Sequence, residues 1–227
     1  MERSFEERAR LAMTAIQGVC FDGFGTLVEI MDKRRPFQSL IDREPSPSLA
    51  RYAMKHPIGL REFSQQLSAP ISEERLAELE EDLNAELNSV RLRPGMDRAW
   101  WAVRRAGFKT GICSNIALPY AKPLLAVVPG IPDALVLSFE VVLVKPQAEI
   151  FYLVCKQLSL SAEQILFVGD TPEADVLGPR AVGMHAMSIR CFEAALEQGS
   201  DHLLPRSEQI SLPVRQLLDR LIACTCS

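Results

Sequence analysis

Five short apolar runs recur along the chain, each bounded by turn-forming residues: Gly18 to Phe21, Phe108 to Cys113, Ala134 to Leu137, Ile165 to Val168 and Met184 to Ile189. Most are apolar at successive positions, the pattern of strands buried on both faces. The second is the weakest, because Lys109 and Thr110 interrupt it. Helical patterns lie between the runs. They predict helices over Met96 to Arg105, stopped by Gly107, over Ala148 to Gln157 and over Ala174 to Val182. Strands alternating with helices predict an α/β fold, a Rossmann-like parallel sheet with helices on both faces.

Residues 30–95 break the alternation. E-P-S-P-S and K-H-P-I-G are loop-like. Ser72 to Val90 carries Leu76, Leu79, Leu83 and Leu87 at helical spacing, behind a serine and two glutamates that suit a helix start. The expectation is a small helical cap domain at 30–93, inserted into a core domain formed by 1–29 and 94–227. Leu203 to Leu221 reads as a short terminal helix after a proline-punctuated loop.

Composition narrows the class. The chain has 227 residues, 48% hydrophobic and 24% charged, enough for one core plus a smaller domain. A net charge of -4 gives no broad electrostatic reason to expect nucleic acid as a partner, and Lys33-Arg34-Arg35 is too short to change that. No apolar stretch is long enough for a membrane span, and the first ten residues mix both charge signs without a signal-peptide core. A cytoplasmic location is the default expectation. Six scattered cysteines read as free thiols, with Cys20 and Cys113 as small core residues and Cys224 and Cys226 in a tail. Trp100 and Trp101 are adjacent, so on a helix they point in different directions. A monomer and a homodimer fit the sequence equally.

In a parallel sheet of this kind, ligands bind beyond the carboxyl ends of the strands, where the strand order reverses. Asp22, Ser114, Asn115 and Asp170 all fall at such ends. Each has a plainer role if taken alone. Asp22 and Asp170 suit helix caps, Thr26 suits a turn, Lys145 suits a loop and Asp175 suits a solvated helix position. Several polar strand ends in one chain argue for a site.

Four stretches together resemble the haloacid dehalogenase superfamily of hydrolases. They are F-D-G-F-G-T-L at 21–27, I-C-S-N at 112–115, V-K-P-Q-A-E-I-F at 144–151 and F-V-G-D-T-P-E-A-D at 167–175. The likeness covers about residues 15–30 and, more continuously, 93–190. It implies that Asp22 is a nucleophile forming a covalent aspartyl intermediate and that Thr26 holds its loop. Ser114 would bind anionic substrate oxygens, with Asn115 beside it, and Lys145 would neutralise charge. Asp22, Asp170 and the backbone carbonyl of Phe24 would hold a magnesium ion (Mg2+), supported by Asp175. Elementary chemistry agrees with these roles. A carboxylate nucleophile divides a difficult displacement into two steps, and its attack on an anionic phosphoryl group requires a cation.

Phe24 departs from the pattern. The family's phosphatases carry an aspartate there, which protonates the leaving group and activates water. A positioned acid or base is typically worth about 10²–10⁴-fold in rate. An aromatic residue at this place resembles the metal-independent dehalogenase branch, whose halide leaving group needs no proton. The fourth stretch points the other way: Asp170 stands where that branch tends to carry serine, and a second carboxylate beside Asp22 calls for a cation. Gln147 replaces a common aspartate in the third stretch. Three readings follow. The first is a magnesium-dependent phosphohydrolase of a small phosphorylated metabolite with a good leaving group, or with an acid supplied by the cap. The second is a 2-haloacid dehalogenase, and the third is a catalytically silent relative that binds a ligand. The residue types favour the first. Arg34, Arg35 and Arg51 are the candidate cap cations, unranked by sequence.

Overall fold

A computed structural model of the chain describes residues 16–200. The expected terminal helix, Cys224 and Cys226 lie outside the described residues. Strands β1 (Gly18–Phe21), β2 (Val28–Ile30), β3 (Val90–Leu92), β4 (Lys109–Ser114), β5 (Ala134–Leu137), β6 (Ile165–Gly169) and β7 (His185–Ser188) form two sheets. The larger is fully parallel, in the order β5-β4-β1-β6-β7. The expected α/β architecture is therefore present, and all five apolar runs are its strands.

The sheet is covered on both sides, and this is why its strands are continuously apolar. Val19, Phe21, Ile112, Leu166 and Val168 face a cluster that includes Trp100 and Phe192 from helices Met96–Arg105 and Ile189–Ser200. Cys20, Cys113 and Phe167 face the opposite cluster, with Ile150, Phe151 and Val154 from helix Ala148–Leu158. Cys20 and Cys113 are fully buried free thiols, and burial pushes the Cys113 thiol up to about 12. Trp100 is fully buried, whereas Trp101 is 41% exposed.

Two elements differ from the sequence pattern. The helix expected over Ala174 to Val182 starts earlier, as a wide π-type turn over Pro172–Leu177 that continues into Gly178–Ala181. The last strand ends at Ser188, because Ile189 already begins a helix.

Between β1 and β4 the chain leaves the core through β2 and returns through β3, which pair antiparallel. Between them lie helices Pro36–Ile41, Pro47–Lys55, Leu60–Ser64 and Glu73–Asn88. Ser72 caps the last of these, its hydroxyl accepting from the Arg75 N–H at 3.2 Å. The four helices bury a cluster of their own around Leu40, Leu60, Phe63 and Leu79, which also takes in Ala117 and Tyr120 from the loop after β4. Among the described residues, no helix is long and apolar enough to cross a membrane.

Candidate active site

The strand order reverses at β1, which has β4 on one side and β6 on the other. Asp22 is the next residue after β1, and its N–H continues the ladder to Val168 O at 2.9 Å. Ser114 ends β4, and Asp170 follows β6. Three of the predicted strand-end residues are thus gathered at one crevice by the sheet alone.

Lys145 is brought there by the loop between β5 and helix Ala148–Leu158. Its backbone is fixed by Asn115, whose Nδ2 donates to Lys145 O at 3.0 Å and whose Oδ1 accepts from Lys145 N at 2.8 Å. Gln147 closes the same loop, with Oε1 accepting from Val144 N at 2.9 Å. The loop carrying Asn115 is braced in turn by the fully buried Ser138. That hydroxyl accepts from Ile116 N at 3.0 Å and donates to Ile116 O at 3.2 Å.

Lys145 Nζ donates to Asp22 Oδ1 at 2.8 Å and to Asp175 Oδ1 at 2.6 Å. Ser114 Oγ donates to the same Asp22 oxygen at 3.0 Å. Both side-chain donors converge on Oδ1, and neither reaches Oδ2. Asp175 is buried, and its Oδ2 accepts from Thr171 N at 2.9 Å. The π-type turn produces this arrangement by folding Asp175 back under Thr171. Lys145 Nζ also lies 5.1 Å from the centroid of the Phe167 ring, a cation–π contact from the strand below.

Burial is the largest single influence on both Asp22 and Lys145, but it prevails only at Asp22. It pushes the Asp22 carboxyl above its usual range, against the pull of the Lys145 ammonium. Burial also works against the charge on Lys145, but Asp22 and Asp175 outweigh it and hold that pKa above the usual lysine range. Lys145 therefore stays an ammonium.

Asp22, Asp170 and Asp175 each offer a carboxylate oxygen within 4.8 Å of the others. Asp170 is exposed, and the loop after β1 closes onto it. Gly25 has φ +86°, and a Cβ there would sit 2.3 Å from Asp170 Oδ2. Only a residue without a side chain adopts that conformation at that distance without strain. Three carboxylates against one ammonium leave negative charge in excess, and all the donors are hard oxygens. Such a set suits a hard divalent cation that keeps several waters.

Thr26 is fully buried, and its hydroxyl has no protein partner. Phe24 is half-buried and stands edge-on to Tyr120, with ring centroids 5.6 Å apart. Tyr120 Oη donates to Glu86 Oε2 at 2.6 Å. Glu86, on helix Glu73–Asn88, is buried, and its Oε1 accepts from Arg34 N and Arg35 N at 2.7 Å each. Both oxygens of this acid are therefore occupied.

The structure also brings in residues that no sequence pattern marked. Arg93 donates to Gly25 O at 3.2 Å and pairs with Glu29 and Glu193, bracing the glycine turn. Helix Pro47–Lys55 faces the core loops across an open cleft, with Met54 and Lys55 on its wall beside Arg51, one of the three candidate cations of the sequence.

Residues 16–183, most of the chain, match the haloacid dehalogenase-like hydrolase family. The chain belongs to this family. It is therefore a hydrolase. No curated protein sequence matches it. Solved structures share the haloacid dehalogenase-like fold at low identity. A predicted phosphoglycolate phosphatase from Haemophilus somnus 129pt is 20% identical, with 75% of this chain and 84% of that one covered and a TM-score of 0.53. A predicted HAD-like family hydrolase from Porphyromonas gingivalis is 19% identical, with 80% and 98% covered and a TM-score of 0.58. A HAD family enzyme from Bacteroides thetaiotaomicron, in complex with magnesium and inorganic phosphate, is 15% identical, with 77% and 94% covered and a TM-score of 0.55.

Proposed function

We propose that this chain is a magnesium-dependent phosphohydrolase acting on a small phosphorylated metabolite whose leaving group departs without a proton, such as an acyl or aryl phosphate. The observation that carries the reading is the cluster of three carboxylates, Asp22, Asp170 and Asp175, of which only Asp22 and Asp175 pair with the buried Lys145 ammonium while Asp170 stays exposed. A pocket for a neutral carbon–halogen bond has no use for that excess of negative charge. A phosphoryl site has, once a cation fills it. The neighbour with bound magnesium and phosphate supports the same choice.

In this reading Asp22 is the nucleophile. Oδ1 is held by Ser114 and Lys145, and Oδ2, which has no side-chain donor, attacks phosphorus. The bond from phosphorus to the leaving oxygen breaks, and that oxygen departs as an anion. The phosphoryl group is then bonded to Asp22. Water attacks phosphorus, the bond to Asp22 breaks, and both protons of the water stay with the released phosphate. Ser114 and Lys145 meet the anionic phosphoryl oxygens. Asn115 fixes the lysine backbone, Asp175 positions Lys145 and Thr171, and Thr26 holds the nucleophile loop. Asp22, Asp170 and the Phe24 carbonyl, with Asp175 behind them, would hold magnesium, whose charge offsets the repulsion between carboxylate and phosphoryl group.

Phe24 restricts the chemistry. It offers no proton to an alkoxide, and Glu86 does not stand in for it, because both of its oxygens are held by Tyr120 and by the Arg34 and Arg35 backbone. The test is hydrolysis of acetyl phosphate with magnesium and with chelator, by the parent chain and by Asp22→Asn. Turnover that needs magnesium and disappears in Asp22→Asn is expected. Phe24 also favours a second reading, carbon–halogen cleavage. Halide release from a 2-haloacid in chelator, without phosphate release, would establish that instead. Phosphate binding without turnover would mark a silent relative.

A further inference from the structure

The cleft between cap and core has a volume of about 540 Å³. One wall is helix Pro47–Lys55, presenting Arg51, Met54 and Lys55; the other includes Gln147, Thr171 and Glu173, with Lys145 also on the lining. Lys145 is already committed to Asp22 and Asp175. Arg51 and Lys55 are not committed. Among the described residues neither makes an ion pair or a side-chain hydrogen bond, whereas Arg34, Arg61 and Arg75 of the cap are all paired with carboxylates. A spacing of four places Arg51 and Lys55 side by side on one helix face, where like charges repel unless an anion joins them. Glu173 is the carboxylate on the opposite wall, and it is paired with neither. Met54 offers an apolar surface between the cations and the core.

We infer that Arg51 and Lys55 form a second anion subsite, so that the substrate is a phosphorylated compound carrying another anionic group, a carboxylate or a second phosphate. The inference rests on the phosphohydrolase reading for the reacting phosphoryl group, which lies at Asp22 and Lys145. The second anion reaches across the cleft to the cap, its carbon skeleton lies against Met54, and bridging the two walls favours closure. Among the three candidate cap cations, this singles out Arg51. Arg34 is paired with Asp32 and Asp82, and neither it nor Arg35 lines the cleft.

The test compares phenyl phosphate, 3-carboxyphenyl phosphate and benzene-1,3-diyl bisphosphate as substrates for the parent and for the Arg51→Gln/Lys55→Gln double variant. Hydrogen bonds to charged groups predict a kcat/KM for the doubly anionic compounds about tenfold to a hundredfold above that for phenyl phosphate. That ratio falls toward one in the double variant. The larger of the two ratios says whether carboxylate or phosphate is the better occupant. Calorimetric binding of the same three compounds to Asp22→Asn gives a readout that needs no turnover. No hydrolysis of any compound, with binding preference intact and lost in the Asp22→Asn protein also carrying Arg51→Gln and Lys55→Gln, would defeat the phosphohydrolase reading and keep the subsite. Equal affinity and equal kcat/KM for all three compounds, or a preference unchanged in the double variant, would overturn the subsite.

Discussion

Lys145 shares one buried ammonium between two carboxylates, Asp22 and Asp175, at 2.8 and 2.6 Å. Without it the two acids face each other uncompensated. Lys145→Met is expected to destabilise the chain by about 3–5 kcal/mol, read from the urea midpoint, and to abolish turnover. Asp22 has its own signature. Burial raises its pKa from the ordinary 3.8, so the folded chain holds that proton to a higher pH than the unfolded chain does. The stability contributed by Asp22 therefore falls as pH rises through the window above 3.8. In chelator, the stability of Asp22→Asn relative to the parent should grow across that window and then level; a constant difference would refute the assignment. Thr26 is fully buried and its hydroxyl has no protein partner, so Thr26→Val should change stability by no more than about 1 kcal/mol, read from the urea midpoint. Asp22, Ser114 and Asp170 were legible in the sequence because each ends or follows a buried apolar run. The double hydrogen bond of Asn115 to the Lys145 backbone was not, since it joins positions 30 residues apart.

Long elements were legible where burial is uniform along them. The strands of the parallel sheet and helix Glu73–Asn88, with Leu76, Leu79 and Leu83 buried, follow directly from their patterns. Strands β2 and β3 did not, because three residues carry no period and the partners are some 60 positions apart. Helices Pro36–Ile41 and Leu60–Ser64 are likewise too short for helical spacing to register. The π-type turn at Pro172–Leu177 has no sequence period of its own; its form follows from the need to place Asp175 under Thr171. One contact joins cap and core elements in a way that can be tested. Burial, reinforced by Glu86, raises the Tyr120 pKa above the usual phenol range, so the hydroxyl stays protonated and donates to Glu86. Tyr120→Phe keeps the ring contacts with Phe24 and Phe37 but leaves Glu86 Oε2 without this donor. A loss of about 1–3 kcal/mol in urea denaturation is expected.

At the scale of the whole molecule, the strand ends supply Asp22, Ser114 and Asp170, the loop before helix Ala148–Leu158 supplies Lys145, and helix Pro47–Lys55 supplies the far wall of the cleft. In the proposed reading the position that sets the range of substrates is Phe24, on the loop between β1 and β2, packed against Tyr120 instead of offering an acid. A site that cannot protonate its leaving group must depend strongly on how well that group carries negative charge. The decisive measurement is therefore kcat/KM, with magnesium, across a series of aryl and alkyl phosphates of graded leaving-group basicity, for the parent and for Phe24→Asp. A steep fall is expected in the parent as the leaving group becomes more basic. A flatter dependence is expected in Phe24→Asp, with alkyl phosphates gaining about 10²–10⁴-fold. A parent that hydrolyses alkyl and aryl phosphates alike, or a slope that Phe24→Asp leaves unchanged, would contradict the proposed reading.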